Sequence, residues 1–316
     1  MSLIDEISAL MEVGPADVAR FLYAAPARYK VFDIPKRNGG SRTIAQPSAT
    51  LKTIQRYLLA SKLRAAPVHP AATAYVTGKG IIDNADAHKA NRYILKLDFT
   101  DFFPSIKVKD WRNYARSGTF TEILIEDSTA YERILFWGDG GFSPKCLSIG
   151  APTSPHVSNM LMYSFDADVS QAASERGVIY TRYADDLTFS ANSRAAILDT
   201  ERHVTQLVRK MRSPNLSFNE SKRGLYGPGE RRMVTGLIIT PERRVSLGRD
   251  RKRLISSMVH RASLGQLDVL QLSHLKGQFG FVIAVEATFL DTLRAKYGSS
   301  VIDRILEFDP PARVRD

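Results

Sequence analysis

Three aspartates lie at the borders of apolar segments, where a carboxylate is costly unless an interaction compensates its charge. Asp98 closes the apolar run at residues 93–99, and Asp185 and Asp186 interrupt the apolar stretch at 178–191. An unpaired buried carboxylate is costly, and an Asp-Asp pair by itself is also ordinary turn chemistry. Three carboxylates on one sheet end would repel one another unless a cation neutralised them. Their oxygens suit Mg²⁺, and two such ions about 3.5–4 Å apart can drive nucleotidyl transfer.

The elements around these residues must bring them together. Helical spacing predicts helices within residues 2–24, and the Arg-Asn-Gly-Gly sequence at 37–40 predicts a hairpin over 30–47. Residues 93–99 read as a strand, and 178–191 as two strands around a tight turn. Residues 234–239 read as one short strand, followed by helices to the C-terminus. This mixture of adjacent strands and helices predicts an α+β fold.

Composition excludes several classes of protein. The 316 residues are 44% hydrophobic, which is enough for a substantial core. The one cysteine, Cys146, excludes an intramolecular disulfide framework and a cysteine-rich zinc site. The N-terminus lacks the basic region of a signal peptide, and no apolar run reaches the roughly 18 residues of a membrane span. We therefore expect a soluble, cytoplasmic protein with no membrane partner.

The net charge of +11 favours a polyanionic partner. Residues 202–253 contain 14 arginines and lysines against four acidic residues, so this stretch carries nearly all of the excess. A solvated basic face is the alternative interpretation, and charge alone does not choose between the two.

Several motifs in order resemble the reverse transcriptase family. They are the Asp98-centred strand, the Gly-Ala-Pro-Thr-Ser-Pro segment at 150–155 and the Tyr-Ala-Asp-Asp box at 183–186. The Asn-Ala-x-x-His pattern at 84–88 and the Val-Thr-Gly triplet at 234–236 are similar to motifs of bacterial retron reverse transcriptases. The resemblance implies a right-hand polymerase with an antiparallel palm sheet flanked by helices. The implied domains are fingers at 1–91, a palm at 92–240 with a fingers insertion at about 107–148, and a helical, RNA-binding thumb at 241–316.

The resemblance also implies site residues. The metal ligands would be Asp98, the Phe99 carbonyl, Asp185 and Asp186, holding two Mg²⁺ ions for which Mn²⁺ can substitute. Lys222 would be catalytic, protonating or stabilising the leaving pyrophosphate. Nucleotide contacts would come from Arg42, Lys36, Phe103, Gly150 and Ala151. RNA contacts would come from Asn84, His88, Val234, Thr235, Gly236, Arg249, Arg251 and Lys252.

Several of these assignments have plainer alternatives. Phe103 would exclude a ribose 2′-OH as a steric gate, or would simply pack in the core beside Phe102. Lys222 and Arg42 could be solvated surface charges. Asn84 and His88 could merely brace the local fold, and the Val-Thr-Gly triplet could merely turn a strand. Ile149 departs from the family, in which many members have glutamine at that position, so nucleotide affinity or fidelity is expected to differ.

The implied function is RNA-directed DNA synthesis, a nucleotidyltransferase reaction. Retron enzymes use a cognate noncoding RNA as primer and template and begin from a guanosine 2′-OH. The product is branched, multicopy single-stranded DNA (msDNA) made from dNTPs. The family's role is antiphage defence, usually with a separate effector protein. Two alternatives remain open: another bacterial reverse transcriptase of the intron or abortive-infection type, and a catalytically inactive RNA-binding scaffold.

Overall fold

The computed structural model describes residues 2–36, 39–120 and 127–309. Chain contacts divide the protein into two compact units. The first unit comprises residues 1–80 and 92–225, and the second comprises 81–91 and 226–316. The limits of fingers, palm and thumb remain predictions. They differ from this division, because residues 81–91 were assigned to the fingers and residues 226–240 to the palm.

The described residues contain fourteen α-helices and nine β-strands. The helices are α1 (Leu3–Met11), α2 (Pro15–Ala24), α3 (Ala49–Ser61), α4 (Ile81–Asp86), α5 (Phe102–Ser105), α6 (Val108–Arg116), α7 (Ser128–Leu135), α8 (Ser154–Leu161), α9 (Tyr163–Ser174), α10 (Arg194–Lys210), α11 (Arg249–Ser263), α12 (Val269–Glu286), α13 (Thr288–Tyr297) and α14 (Ser299–Glu307). The strands are β1 (Tyr29–Pro35), β2 (Ser41–Pro47), β3 (Tyr93–Asp98), β4 (Ile179–Tyr183), β5 (Asp186–Ala191), β6 (Gly224–Tyr226), β7 (Met233–Val234), β8 (Leu237–Ile239) and β9 (Val245–Ser246).

The first unit is built on a four-stranded sheet in the order β4-β5-β3-β6. The pairs β3/β5 and β4/β5 are antiparallel, so the C-terminal end of β3 lies beside the start of β5. Helices α9 and α10 pack against one another and against these strands. Apolar side chains of the strands, such as Leu95, Leu187 and Phe189, are fully buried in this core. This confirms the predicted antiparallel sheet flanked by helices.

The hairpin predicted over residues 30–47 is confirmed as β1 and β2. Its strands pair in register from Tyr29 opposite Pro47 to Pro35 opposite Ser41. The turn closes through the N–H of Lys36, which donates to the Gly40 carbonyl at 3.0 Å. Gly39 and Gly40 both have positive φ, which glycine adopts without steric cost. Residues 37–38 of the predicted turn lie outside the described residues.

The second unit joins a small sheet, β7-β8-β9, to helices α11–α14. Helix α4 packs on the sheet, and the four later helices enclose a core around Ile255, Leu275, Phe279 and Ile302. The single strand predicted at 234–239 is wrong. Thr235 and Gly236, with φ of 45° and 79°, form a two-residue turn between β7 and β8. Two consecutive positive φ values are typical of a tight hairpin turn, which strand periodicity alone does not reveal.

Candidate active site

Three carboxylates meet at one end of the central sheet. Asp98, the last residue of β3, is the direct register partner of Asp186, the first residue of β5. Tyr183 pairs with Asp186, so Ala184 and Asp185 form the two-residue turn between β4 and β5. The Phe99 N–H donates to the Asp185 carbonyl at 3.0 Å, which ties this turn to the end of β3. The fold therefore brings together the three aspartates that the sequence singled out.

The electrostatics of this group favour a bound cation. Burial raises the pKa of Asp185 above its ordinary value, and the charge of Asp98 raises it further. Burial also raises the pKa of Asp186, although the nearby Lys96 ammonium, 3.8 Å from the carboxylate, opposes the shift. Such shifts mean that negative charge at this sheet end is incompletely compensated by the protein.

Lys222 provides a cation on the other flank. Its Nζ lies 2.7 Å from Oδ1 of Asp98, and half of its side chain is exposed. Backbone bonds hold it there: the Asn219 N–H donates to the Asp98 carbonyl at 2.7 Å, and Thr100 donates to Ser217 at 2.9 Å. Segment 217–222 is thus paired to the end of β3. The sequence predicted Lys222 near the triphosphate, and the structure places it on a predicted metal ligand.

The donor set fits a hard divalent cation that shares its coordination with substrate. Within the described residues, no three acidic, histidine or cysteine side chains form a cluster that could hold a metal ion. Mg²⁺ does not need one, since it is commonly held by one or two carboxylates and completed by water and phosphate oxygens. The carboxylates of Asp98, Asp185 and Asp186, two of them now facing lysines, supply that kind of site.

Phe102 and Phe103 occupy different environments. Phe102 is buried and stacks on Phe99, with ring centroids 5.8 Å apart. Phe103 is only partly buried and meets the ring of Tyr75 at 6.4 Å. Both belong to α5, which begins directly after Asp101, a non-glycine residue with φ of 44°. Phe102 is therefore a core residue, and Phe103 packs against the same core while staying only partly buried, so its role as a gate stays a prediction.

The β1–β2 hairpin joins the segment before α8 through Gly150. The Ala45 N–H donates to the Ile149 carbonyl at 2.9 Å. Gly150 has φ of 125°, and a Cβ there would lie 2.9 Å from the Ala45 carbonyl oxygen. Only glycine permits this approach. Ile149 makes this contact through its backbone carbonyl. Having isoleucine where many family members have glutamine therefore leaves the contact intact.

The other predicted nucleotide contacts differ in exposure. Arg42 and Lys36 are both exposed on the hairpin, Arg42 opposite Ile34 in the strand register. Ala151 is buried beside Gly150, so it can offer a ligand only its backbone. Their roles remain predictions.

A buried polar network supports the carboxylate turn, and sequence reasoning missed it. Arg182 and Asp166 are fully buried and form a two-pronged ion pair at 2.6 and 2.9 Å. The Arg182 guanidinium also donates to the Asn159 side chain at 3.1 Å and to the Ala184 carbonyl at 3.0 Å. Tyr180 donates its hydroxyl proton to Asp166 at 2.8 Å. The available signal was an arginine within an apolar strand, which requires a buried partner.

The predicted retron motifs lie in the second unit, mostly inside it. Asn84, His88 and Val234 have 0% exposed surface. Burial lowers the pKa of His88 to about 3, so its imidazole is neutral. Thr235 donates its hydroxyl proton to the Ile81 carbonyl at 3.0 Å and is partly buried, while Gly236 is exposed. RNA contact by these residues stays a prediction. The burial of Asn84, His88 and Val234 favours a structural role for these three.

The basic stretch at 202–253 does not form one free cationic face. Arg223 pairs with Glu201, Arg231 pairs with Asp250, and the buried Arg232 donates to backbone carbonyls. On α11, Arg251 lies over the Phe281 ring at 4.7 Å, and Lys252 pairs with Glu286 at 2.6 Å. Arg249 and Arg253 are exposed, and Arg253 lines an open pocket of about 460 Å³ with Lys296 and Tyr297.

Comparisons with known proteins identify the family of this chain. The family described as reverse transcriptase (RNA-dependent DNA polymerase) matches residues 34–237. The chain is 36% identical to the retron Ec83 reverse transcriptase of Escherichia coli, covering 96% of this chain and 98% of that one. It is 28% identical to the retron Ec86 reverse transcriptase of E. coli, with coverage of 96% and 93%.

A solved structure supports the fold. The telomerase of Candida albicans, in complex with a fragment of telomeric RNA, has a TM-score of 0.51 at 13% identity. The match covers 89% of this chain and 61% of the longer telomerase chain. The fold and the carboxylate site define a template-directed nucleic-acid polymerase. The chain belongs to the reverse transcriptase family and, within it, to the retron reverse transcriptases.

Family membership confirms the predicted enzyme class and fold class: an RNA-directed DNA polymerase with an α+β polymerase fold. Members of the family use divalent metal ions. Among the described residues, no helix combines the length and apolar character that crossing a membrane requires.

Proposed function

We propose that this reverse transcriptase copies part of a structured noncoding RNA into single-stranded DNA that stays branched from the RNA. Synthesis starts at an RNA 2′-OH, and the product is msDNA. The proposed DNA synthesis rests on one observation, the register pairing of Asp98 with Asp186 beside Asp185. Similarity to retron enzymes over nearly the whole chain supports the RNA priming.

Asp98, Asp185, Asp186 and the Phe99 carbonyl hold two Mg²⁺ ions in this proposal, with Mn²⁺ as a substitute. Bound divalent metal supplies activation of the attacking hydroxyl and stabilisation of the leaving oxygen. Lys222 now neutralises Asp98 at 2.7 Å. Its ammonium would stabilise or protonate the departing pyrophosphate.

The incoming dNTP is bound by groups from several elements. The exposed cations of Arg42 and Lys36 contact the triphosphate from the hairpin. Phe103 lies beneath the sugar and excludes a 2′-OH by its bulk. Gly150 and Ala151 present backbone to the nucleotide, since Gly150 has no side chain and that of Ala151 is buried.

RNA recognition belongs to the second unit. The exposed guanidinium groups of Arg249 and Arg253 contact phosphates, together with neighbouring cations of α11. Thr235 and Gly236 form the exposed turn that meets the RNA. This surface is supported from the interior by the buried side chains of Asn84, His88 and Val234. The biological role is antiphage defence, with a separate effector protein.

The test combines copurified nucleic acid with a defined extension assay. Sequencing nucleic acid that copurifies with the protein should give one structured RNA joined to complementary DNA through a 2′ linkage. Asp185→Asn with Asp186→Asn should abolish dNTP incorporation with Mg²⁺ or Mn²⁺, since amides keep the shape but lose the ligand charge. RNA binding should persist in that variant. Incorporation near the wild-type rate would refute the carboxylate assignment, and copurified DNA lacking a 2′ linkage would refute RNA 2′-OH priming.

A further inference from the structure

Tyr75 has a strained backbone conformation at an unusual place. Its φ is 62°, in the left-handed region that aromatic residues rarely adopt, and its side chain is 49% exposed. A non-glycine residue in this region is strained, because its Cβ approaches the backbone too closely. Such strain persists only where the surroundings enforce it, and it is concentrated at functional sites.

The surroundings that enforce it are the buried network beside the carboxylate turn. Segment 71–74 runs along β4: Arg182 donates its N–H to the Ala71 carbonyl at 2.8 Å, and Thr73 donates to the Arg182 carbonyl at 2.8 Å. The fully buried Asn159 side chain donates to the Ala74 carbonyl at 2.9 Å. The residue before Tyr75 is therefore fixed by the same Asn159–Arg182 pair that holds the Ala184 carbonyl.

The side chain of Tyr75 lies beside Phe103, the proposed steric gate. Its ring meets that of Phe103, with centroids 6.4 Å apart and planes at 51°. Phe102 contacts Phe103 from the core side at 5.4 Å. Burial raises the pKa of the Tyr75 hydroxyl, the charge of Asp185 raises it further, and Arg42 opposes the shift. The hydroxyl thus lies within the electrostatic field of both a carboxylate of the site and an arginine of the hairpin.

We propose that Tyr75 is a positioning residue for sugar selection, bracing the Phe103 ring in addition to Phe102 so that it excludes a ribose 2′-OH. The ligand class is a 2′-deoxynucleoside triphosphate. This inference rests on the proposed function, because it requires Phe103 to be the steric gate. Without Tyr75, Phe103 keeps its contacts with Phe102 and the core but loses the exposed ring beside it, so its ring can swing away from the sugar.

The experiment removes the ring without adding strain. Tyr75→Gly suits the positive φ, and Tyr75→Asn is a second ring-free variant that also tolerates this conformation. The measurement is the ratio of kcat/KM for dNTP to that for the matching rNTP on one primed RNA template. We expect this ratio to fall by about tenfold or more in both variants, chiefly through a lower KM for the rNTP. Tyr75→Phe keeps the ring and should restore the ratio to within about twofold of wild type.

A double-mutant cycle separates bracing from an independent effect. Phe103→Ala should lower the ratio further than Tyr75→Gly does, and the combined variant should match Phe103→Ala alone. Tyr23→Ala is the control, because Tyr23 is an exposed aromatic residue (59%) of the same unit that stacks on Phe142. It should leave the ratio unchanged.

Three results would overturn the inference. An unchanged ratio in Tyr75→Gly and Tyr75→Asn, with a reduced ratio in Phe103→Ala, refutes Tyr75 alone and leaves the proposed function standing. Additive effects in the cycle refute bracing. An unchanged ratio in active Phe103→Ala refutes the gate and with it the inference. Failure of the proposed function itself appears differently, as wild-type enzyme that incorporates no dNTP at all.

Discussion

The guanidinium of Arg182 lies 3.0 Å from the carbonyl oxygen of Ala184, the residue that begins the turn carrying the two adjacent aspartates. Ala184 has φ of 59°, so this turn holds a non-glycine residue in the left-handed region. The bond satisfies a buried carbonyl and opposes relaxation of the strained turn. The same guanidinium also pairs with the carboxylate of Asp166, which fixes its position.

Breaking the buried ion pair between Arg182 and Asp166 should destabilise the first unit strongly. We expect Arg182→Met or Asp166→Asn to lower the free energy of unfolding by about 3–5 kcal/mol, because each leaves a buried charged partner uncompensated. The double change Arg182→Met with Asp166→Leu should cost less than the sum of the single changes. Urea denaturation followed by tryptophan fluorescence measures this, since both tryptophans, Trp111 and Trp137, lie in the first unit. Single-variant losses below about 1 kcal/mol would contradict this account.

Gly150→Ala should loosen the attachment of the hairpin. The new Cβ would meet the Ala45 carbonyl oxygen at 2.9 Å on a backbone with φ of 125°. We expect KM for dNTP to rise about tenfold, equivalent to about 1.4 kcal/mol, because the hairpin carries the proposed triphosphate contacts. Gly141→Ala is the matched control, since a Cβ there meets its nearest neighbour at an ordinary 3.5 Å. Equal KM values in the two variants would show that the close approach has no role in nucleotide binding.

Charge reversal on α11 should weaken RNA binding while sparing catalysis. The structure favours Arg249→Glu with Arg253→Glu, because both side chains are exposed and lie four residues apart on one helix face. Lys252 is a poor choice for reversal, since a carboxylate there would face Glu286. Each lost phosphate contact should flatten the slope of log affinity against log salt by roughly 0.7–0.9.

A salt titration of cognate RNA affinity provides the measurement. Arg56→Glu with Arg64→Glu, both exposed residues of the first unit, make the same charge change elsewhere. Extension of a saturating generic primed template should continue in both variants. An α11 variant that matches this control in affinity and slope would mean that α11 is only a solvated surface.

His88 should make the second unit sensitive to acid. Its pKa is lowered from 6.5 to about 3 by burial, so between these values the unfolded chain binds a proton that the folded protein does not. Stability is therefore full above pH 6.5 and falls as pH drops, by up to about 1.4 kcal/mol per pH unit. His88→Gln should reduce this slope, even if lost packing lowers stability at pH 7.

Urea denaturation followed by circular dichroism at several pH values from 7 to 4.5 checks the slope. His203→Gln is the control, because His203 is exposed on α10. The same acid dependence in wild type and His88→Gln would exclude His88 as the source.

The sequence by itself determined the local framework of the site. Period-two apolar alternation and turn chemistry are local properties, so they placed Asp98 at a strand end and Asp185 in a tight turn. The same reasoning located the β1–β2 hairpin. Family motifs in order then identified the enzyme class. Residues 234–239 were predicted as one strand, with a turn at the Val-Thr-Gly triplet only as an alternative, because strands of two or three residues are too short to show a period.

Only the tertiary structure decided which polar groups are buried and what they meet. Lys222 reaches Asp98 across 124 positions, and Arg182 finds Asp166 on a different element. His88 is fully buried instead of facing solvent, and Tyr75 reaches Phe103 from a segment without regular structure. Such pairings depend on how elements stack. Burial then sets their strength, because a charge removed from water must find its partner within the fold.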